Sequence, residues 1–107
     1  MATVYKLTNP DGTTRNGMKW SIGTEHTERG GDPDECGEGW LHAYGFVYDA
    51  VKAWHTKYAL ARGHHLYECD ADVAVDQGDK LLCTRIKVLR EVSVDRIKHA
   101  IDKALES

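Results

Sequence analysis

Apolar and polar positions alternate in some stretches of this chain and recur at helical spacing in others. In residues 4–8, Tyr5 and Leu7 fall on one face and Lys6 on the other, which predicts a strand. Asn9-Pro10-Asp11-Gly12 follows as a turn, because Pro presets φ and Gly tolerates a positive φ. Residues 13–22 are expected to return as a second strand, bulged near Asn16-Gly17. Residues 23–39 read as a long loop holding Gly30-Gly31, Asp32-Pro33-Asp34 and Cys36-Gly37-Glu38-Gly39. Loops of this length in a compact domain are often functional. Residues 40–43 form a short strand.

Residues 46–61 change to helical spacing. Val47, Val51, Trp54, Tyr58 and Ala61 build one apolar stripe, with Lys52 and Lys57 off it and Arg62-Gly63 as a basic last turn and glycine cap. Alternation resumes over 65–73, where Tyr67, Cys69, Ala71 and Val73 share one face and Glu68, Asp70 and Asp72 the other. A turn at 76–79 leads to a longer strand over 81–92. Leu82, Ile86, Val88 and Val92 are expected inward, with Arg85, Lys87 and Glu91 on its other face. In the final helix Ser93 is the N-cap, Asp95 complements the helix dipole, and Ile97, Ile101, Ala104 and Leu105 make the apolar side. The order β-β-(β)-α-β-β-α predicts an α+β fold: a mainly antiparallel sheet of four to five strands with two helices packed on it. A length of 107 residues suits one small domain.

Charge is unevenly spread. Fourteen Lys and Arg against 17 Asp and Glu give a net charge of −3, which argues against direct nucleic-acid binding. Residues 25–38 hold six acids and one base, residues 68–79 five acids and no base, and residues 80–103 seven bases and three acids. Neighbouring strands of opposite charge can pair across the sheet. The same acids can also form a face for a basic partner. The apolar runs are too short to span a membrane, and the N-terminus shows no basic leader followed by an apolar block. Three sparse cysteines, Cys36, Cys69 and Cys83, suit a reducing cytoplasm.

Several chemistries are weighed and set aside. Cys36, His42, His64, His65, Cys69 and Cys83 are zinc-ligand types without paired ligand spacing, and alternation puts Cys69 inward and Cys83 on the opposite face of its strand. Asp70-x-Asp72 starts like a calcium loop, but Ala74 and Leu81 fall where ligands are needed. No metal and no cofactor are expected. Cys36 with His42 or His26 has the composition of a nucleophile and base, with no third partner. The glycine pairs lack the Lys-Ser or Lys-Thr of a phosphate loop. His42, at a strand end beside the long loop, is the most interesting single residue, able to hold a ribose or to act as an acid-base group near neutral pH.

Four segments carry a family resemblance: Val4-Tyr5-Lys6, then Cys36-Gly37-Glu38-Gly39 followed by Trp40-Leu41-His42-Ala43, then Leu66-Tyr67-Glu68-Cys69-Asp70, then Arg85-Ile86-Lys87-Val88-Leu89-Arg90-Glu91-Val92-Ser93. Over residues 4–94 the chain resembles a family of small domains of unknown function found in phages and prophages. Leu41 is an extra residue between the aromatic and His42, and the loop 24–35 is longer and more acidic than the family pattern. The resemblance implies a context, a mobile genetic element acting inside bacteria, and no reaction.

Two functions of different kinds follow as expectations. The first is a phage-encoded binding protein in the cytoplasm of the bacterial host. It would engage a host protein with a basic surface, such as a nucleic-acid-binding defence complex of the CRISPR type, through Glu25, Glu28, Asp32, Asp34, Glu35, Glu38, Asp70, Asp72, Asp76 and Asp79. The second is an ADP-ribosyltransferase-like or nucleotide-binding domain. There His42 would position a ribose, Tyr5 or Tyr44 would stack on nicotinamide, and Glu68 or Glu91 would stabilise oxocarbenium-like charge. A third, plainer reading is a phage accessory domain that forms a homodimer or docks in a larger particle, which exposed edge strands would serve.

Overall fold

The computed structural model describes residues 2–14, 17–31, 39–53, 63–78 and 80–106, and within these the side chains of all but 51–53 and 104–106. The elements are β1 (Ala2–Thr8), β2 (Glu25–Thr27), β3 (Leu41–Ala43), α1 (Val47–Ala53), β4 (His65–Asp76), β5 (Leu81–Glu91) and α2 (Val94–Glu106). The five strands form one antiparallel sheet in the order β1-β4-β5-β2, with β3 also paired to β5. The α+β architecture expected from the pattern is therefore present. No helix among the described residues is long and apolar enough to cross a membrane.

The sheet curls back on itself. Just beyond β3, Tyr44 exchanges both backbone hydrogen bonds with Tyr5 of β1, at 2.7 and 3.0 Å. β1, β4, β5 and β3 thus close into a ring whose interior holds Val4, Leu41, Ala43, Tyr67, Cys69, Ala71, Leu81, Cys83, Ile86 and Val88, with Trp20 packed among them. A second apolar cluster lies outside the ring under the helices: Tyr5, Leu7, Leu66 and Val92 from the strands and their extensions, Val47 and Ala50 from α1, and Ile97 from α2. The first cluster accounts for the alternation in β1 and β4, since Val4, Tyr67, Cys69 and Ala71 all fall on the same side.

β5 departs from simple alternation. Opposite β4 the register runs Asp72↔Arg85 and then Val73↔Cys83, so Thr84 is an extra residue without an opposite partner. Such a bulge shifts every following side chain by one face. Cys83 and Ile86, three apart, therefore enter the same interior. The expectation that Cys83 faces away from Cys69 is corrected, as is the expectation that Leu82 and Val92 share the inward face of Ile86 and Val88; for Val92 the cause is a second slip, at Leu89. Val92 belongs to the helix-covered cluster.

The second strand also lies elsewhere than expected. Residues 13–22 contribute one isolated bridge, Thr13↔Lys19, while the three-residue strand β2 falls inside the stretch read as loop. The helix expected over 46–61 is described as Val47–Ala53, and Trp54 with the remainder of that stripe lies outside the described residues. Ser93 caps α2 as predicted: its hydroxyl accepts from Arg96 N–H at 3.2 Å.

The turn at 9–12 places the segment that brings in Trp20. Gly12 N–H donates to Asn9 O at 2.9 Å, and Trp20 N–H donates to Gly12 O at 2.8 Å. Gly12 has φ +85°, and a Cβ there would come within 2.8 Å of Trp20 O. Gly17 has a similar φ of +79° with nothing within 4 Å of a built Cβ. Gly17→Ala therefore bears only the left-handed cost of about 1–2 kcal/mol, whereas Gly12→Ala adds a backbone clash. Thermal unfolding of the two variants is expected to show the larger loss for Gly12→Ala. Equal losses would mean that the approach of Trp20 to the turn contributes nothing.

Candidate functional site

Glu68, Asp70 and Asp72 project from β4 to the outside of the ring, as their alternation requires. Arg85, projecting from β5 on the same side, collects three carboxylates. Its Nε and Nη2 grip Asp72 at 3.0 and 3.4 Å, Nη2 reaches Asp70 at 2.7 Å, and Nη1 reaches Glu25 of β2 at 3.0 Å. The hydrogen bond from Arg85 holds the Asp72 carboxyl below the usual carboxylate range. The guanidinium in turn is held above its ordinary value by Asp72, Asp70 and Glu25. Lys87 stands opposite both Glu25 and Asp70 in the ladder and offsets part of the remaining charge. Ion pairs at a surface contribute little net stability, so the cluster matters more for fixing positions.

Of the other predicted acids, Glu28 and Asp76 lie among the described residues. Glu28 is exposed and continues β2 along β5, its N–H donating to Thr84 O at 2.8 Å. Asp76 ends β4 at the hairpin tip, where its carboxylate accepts from Gly78 N–H at 2.8 Å. Asp32, Asp34, Glu35, Glu38 and Asp79 lie outside the described residues, as does Cys36. The ends of the segment carrying most of them are held together: Gly30 N–H donates to Gly39 O at 2.7 Å.

Tyr5 and Glu68, opposite each other in the β1–β4 ladder, are joined through α2. Arg96 donates from Nη1 to Glu68 at 2.8 Å and from Nη2 to the Tyr5 hydroxyl at 3.0 Å, while Arg90 holds the second Glu68 oxygen. The Arg96 hydrogen bond keeps the Glu68 carboxyl below its ordinary range. Glu91 instead pairs with His65 at 2.6 Å.

His42 is placed differently. Between Leu41 and Ala43, which face the ring interior, its side chain alternates outward. Its Nε2 is buried with no hydrogen-bond partner among the described residues. Desolvation, then the charges of Lys80 and Lys6, pushes the imidazole down to about 4. At neutral pH it is uncharged, so the acid-base role near pH 7 that its position suggested is not supported. The charges acting on it are cations, while Glu68 is occupied by two arginines.

Sequence reasoning missed the polar groups directed inward. Lys6, on the face opposite Tyr5, sends its ammonium toward the ring interior, where Nζ donates to His42 O at 2.6 Å and lies 5.1 Å from the Trp20 ring centre. Its position opposite the Tyr5 and Leu7 face was legible, but its enclosure depended on the unseen ring closure. Burial pushes the Cys69 thiol up to about 12 and the Cys83 thiol up to about 11. Both remain protonated at neutral pH and lack the thiolate that nucleophilic or metal chemistry needs. Among the described residues no three His, Cys, Asp or Glu side chains are arranged to hold a metal ion.

Burial pushes the Lys6 ammonium down from 10.5 to about 8. Between these values the unfolded chain binds more protons, so stability rises with pH across that window, and below it the folded state carries a cost of about 3 kcal/mol. Urea denaturation at successive pH values is expected to show this rise in the wild type and to lose it in Lys6→Met. The same slope in both proteins would place the ammonium in water.

Residues 2–100 match a family described as a domain of unknown function, DUF7666. The match runs into α2, beyond residue 94 where the resemblance read from the sequence stops. No curated protein and no solved structure matches the chain.

Proposed function

The chain belongs to the DUF7666 family, which has no assigned activity, and on its geometry we propose that it works by binding. In this reading it is a phage-encoded inhibitor of a host protein in the bacterial cytoplasm. It occupies a basic surface that otherwise takes nucleic acid, as in a CRISPR-type defence complex. The observation that carries the reading is the convergence of Glu25, Asp70 and Asp72 on Arg85 at the outside of the sheet.

Arg85 has two effects on that surface. It cancels one charge, and it fixes three carboxylates in place before any partner arrives. Each carboxylate has two oxygens with about four acceptor sites in all, so oxygens bound to Arg85 still accept from a partner's Lys or Arg. Preorganised acceptors lower the ordering cost of association. Glu28, just after β2, and Asp76, at the end of β4, are two further exposed acids. Such a surface raises the association rate with a basic groove and weakens with salt. The inward orientation of Lys6, Cys69 and Cys83 and the neutral state of His42 also favour recognition over catalysis.

The test is gel filtration of the domain with purified CRISPR effector complexes at low and high salt. Co-elution is expected at low salt, lost at high salt, and displaced by the complex's own nucleic acid. Glu25→Gln combined with Asp72→Asn is expected to slow association about tenfold, in keeping with electrostatic steering, while circular dichroism shows the fold retained. Absence of co-elution at low salt would remove this reading. So would binding that the double variant and salt leave unchanged.

A further inference from the structure

Where the helices cover the sheet, a cleft of about 480 Å³ lies between the start of α1 and the first turns of α2. Volumes of a few hundred Å³ suit small molecules. Tyr5 and Arg96 lie at one side of it, with His99 one turn further along α2, and Phe46 and Tyr48 from the α1 side. Phe46 is 70 % exposed, which is unusual for the chain's single phenylalanine.

The charge at this cleft is one-sided. Among the described residues none of those that line it is an acid. Glu68, behind it, is shared by Arg90 and Arg96, so two guanidinium groups meet one carboxylate. Arg96 uses Nη1 on Glu68 and Nη2 on Tyr5, and its side chain is still 46 % exposed. A guanidinium has five N–H donors, so two bonds leave others for a ligand. The Tyr5 hydroxyl accepts from Arg96 and keeps its own proton to donate. Arg96 and His99, three apart on one helix, face the same way. The cleft therefore joins fixed donors and a surplus positive charge to two aromatic faces.

We propose that this cleft is a binding site for a small phosphate ester carried on a flat ring, a nucleoside monophosphate being the simplest of the class. Tyr5, Arg96 and His99 hold the phosphate, and Phe46 and Tyr48 pack against the ring. Charge-assisted bonds from a guanidinium to phosphate are among the stronger hydrogen bonds in proteins. The site stands independently of the acidic surface proposed above: it lies on other residues and takes a ligand of opposite charge.

The experiment is an NMR titration of the whole chain with adenosine monophosphate, adenosine, inorganic phosphate and phenylacetate as separate probes. Saturable shifts centred on Tyr5, Phe46, Arg96 and His99 are expected with adenosine monophosphate. Adenosine and inorganic phosphate are each expected to bind at least tenfold more weakly, and phenylacetate, whose anion is a carboxylate, likewise. Phe46→Ala is expected to weaken adenosine monophosphate at least fivefold without lowering the melting temperature, because the ring is exposed. His99→Gln tests the phosphate end without disturbing the Glu68 network, with a similar loss expected. Absence of saturable binding would overturn the proposal, as would shifts centred elsewhere, affinity unchanged in both variants, or phenylacetate binding as tightly as the phosphate ester.

Discussion

Two long antiparallel strands, β4 and β5, form the frame of this domain, and the places where they fall out of step decide which side chains meet. β4 carries β1, and β5 carries β2 and β3. Between them the register slips past Leu89, Thr84 and Ala74. Bulges increase local twist and bend a strand, and strong bending of this kind is what a ring of so few strands requires. The return of Tyr44 to Tyr5 depends on that curvature. So does the enclosure of Trp20, Cys83 and Lys6 in one interior.

The frame itself was legible in the sequence. Alternation over 65–73 and the strand pattern over 81–92 locate β4 and β5 almost to their ends. The Pro-Asp-Gly turn and the Ser93 cap are local chemistry and appear where the residues placed them. The bulges were not legible, because a period-two reading continues through Thr84 without interruption. One extra residue exchanges the faces at each slip: Thr84 separates Cys83 from the period that Ile86 follows, and Leu89 separates Val92 from Ile86 and Val88. β2 was hidden for a different reason: Glu25-His26-Thr27 has no apolar alternation and is a strand because β5 offers an open edge. Ring closure depends on two backbone hydrogen bonds far apart in sequence, for which side-chain pattern carries no signal.

The charged positions show the same division between pattern and partner. Segregation of acids in 68–79 and bases in 80–103 made cross-strand pairing readable, and Glu68↔Arg90, Asp70↔Lys87 and Asp72↔Arg85 stand opposite one another in the ladder. What the pattern could not give is that one guanidinium collects acids from two strands on either side of its own. It also could not give the reach of Arg96 from α2 back to β4 and β1, since that depends on how the helix crosses the sheet.

These placements divide the domain's polar groups by location. Inside the ring, Lys6 meets a carbonyl and an aromatic face, and the two cysteines stay protonated, so burial suppresses the reactivity that their side chains would have in water. Outside, Arg85 gathers Glu25, Asp70 and Asp72, while Arg90 and Arg96 converge on Glu68, two residues before Asp70 on β4. A group fixed by ion pairs at a surface is poorly placed to shuttle protons but well placed to meet an opposite charge without reordering. The ring curvature set by the β4–β5 slips therefore underlies the proposed binding: it moves the cysteines and the amine inward and leaves the ion pairs of Arg85 and of Glu68 on the outside of the sheet.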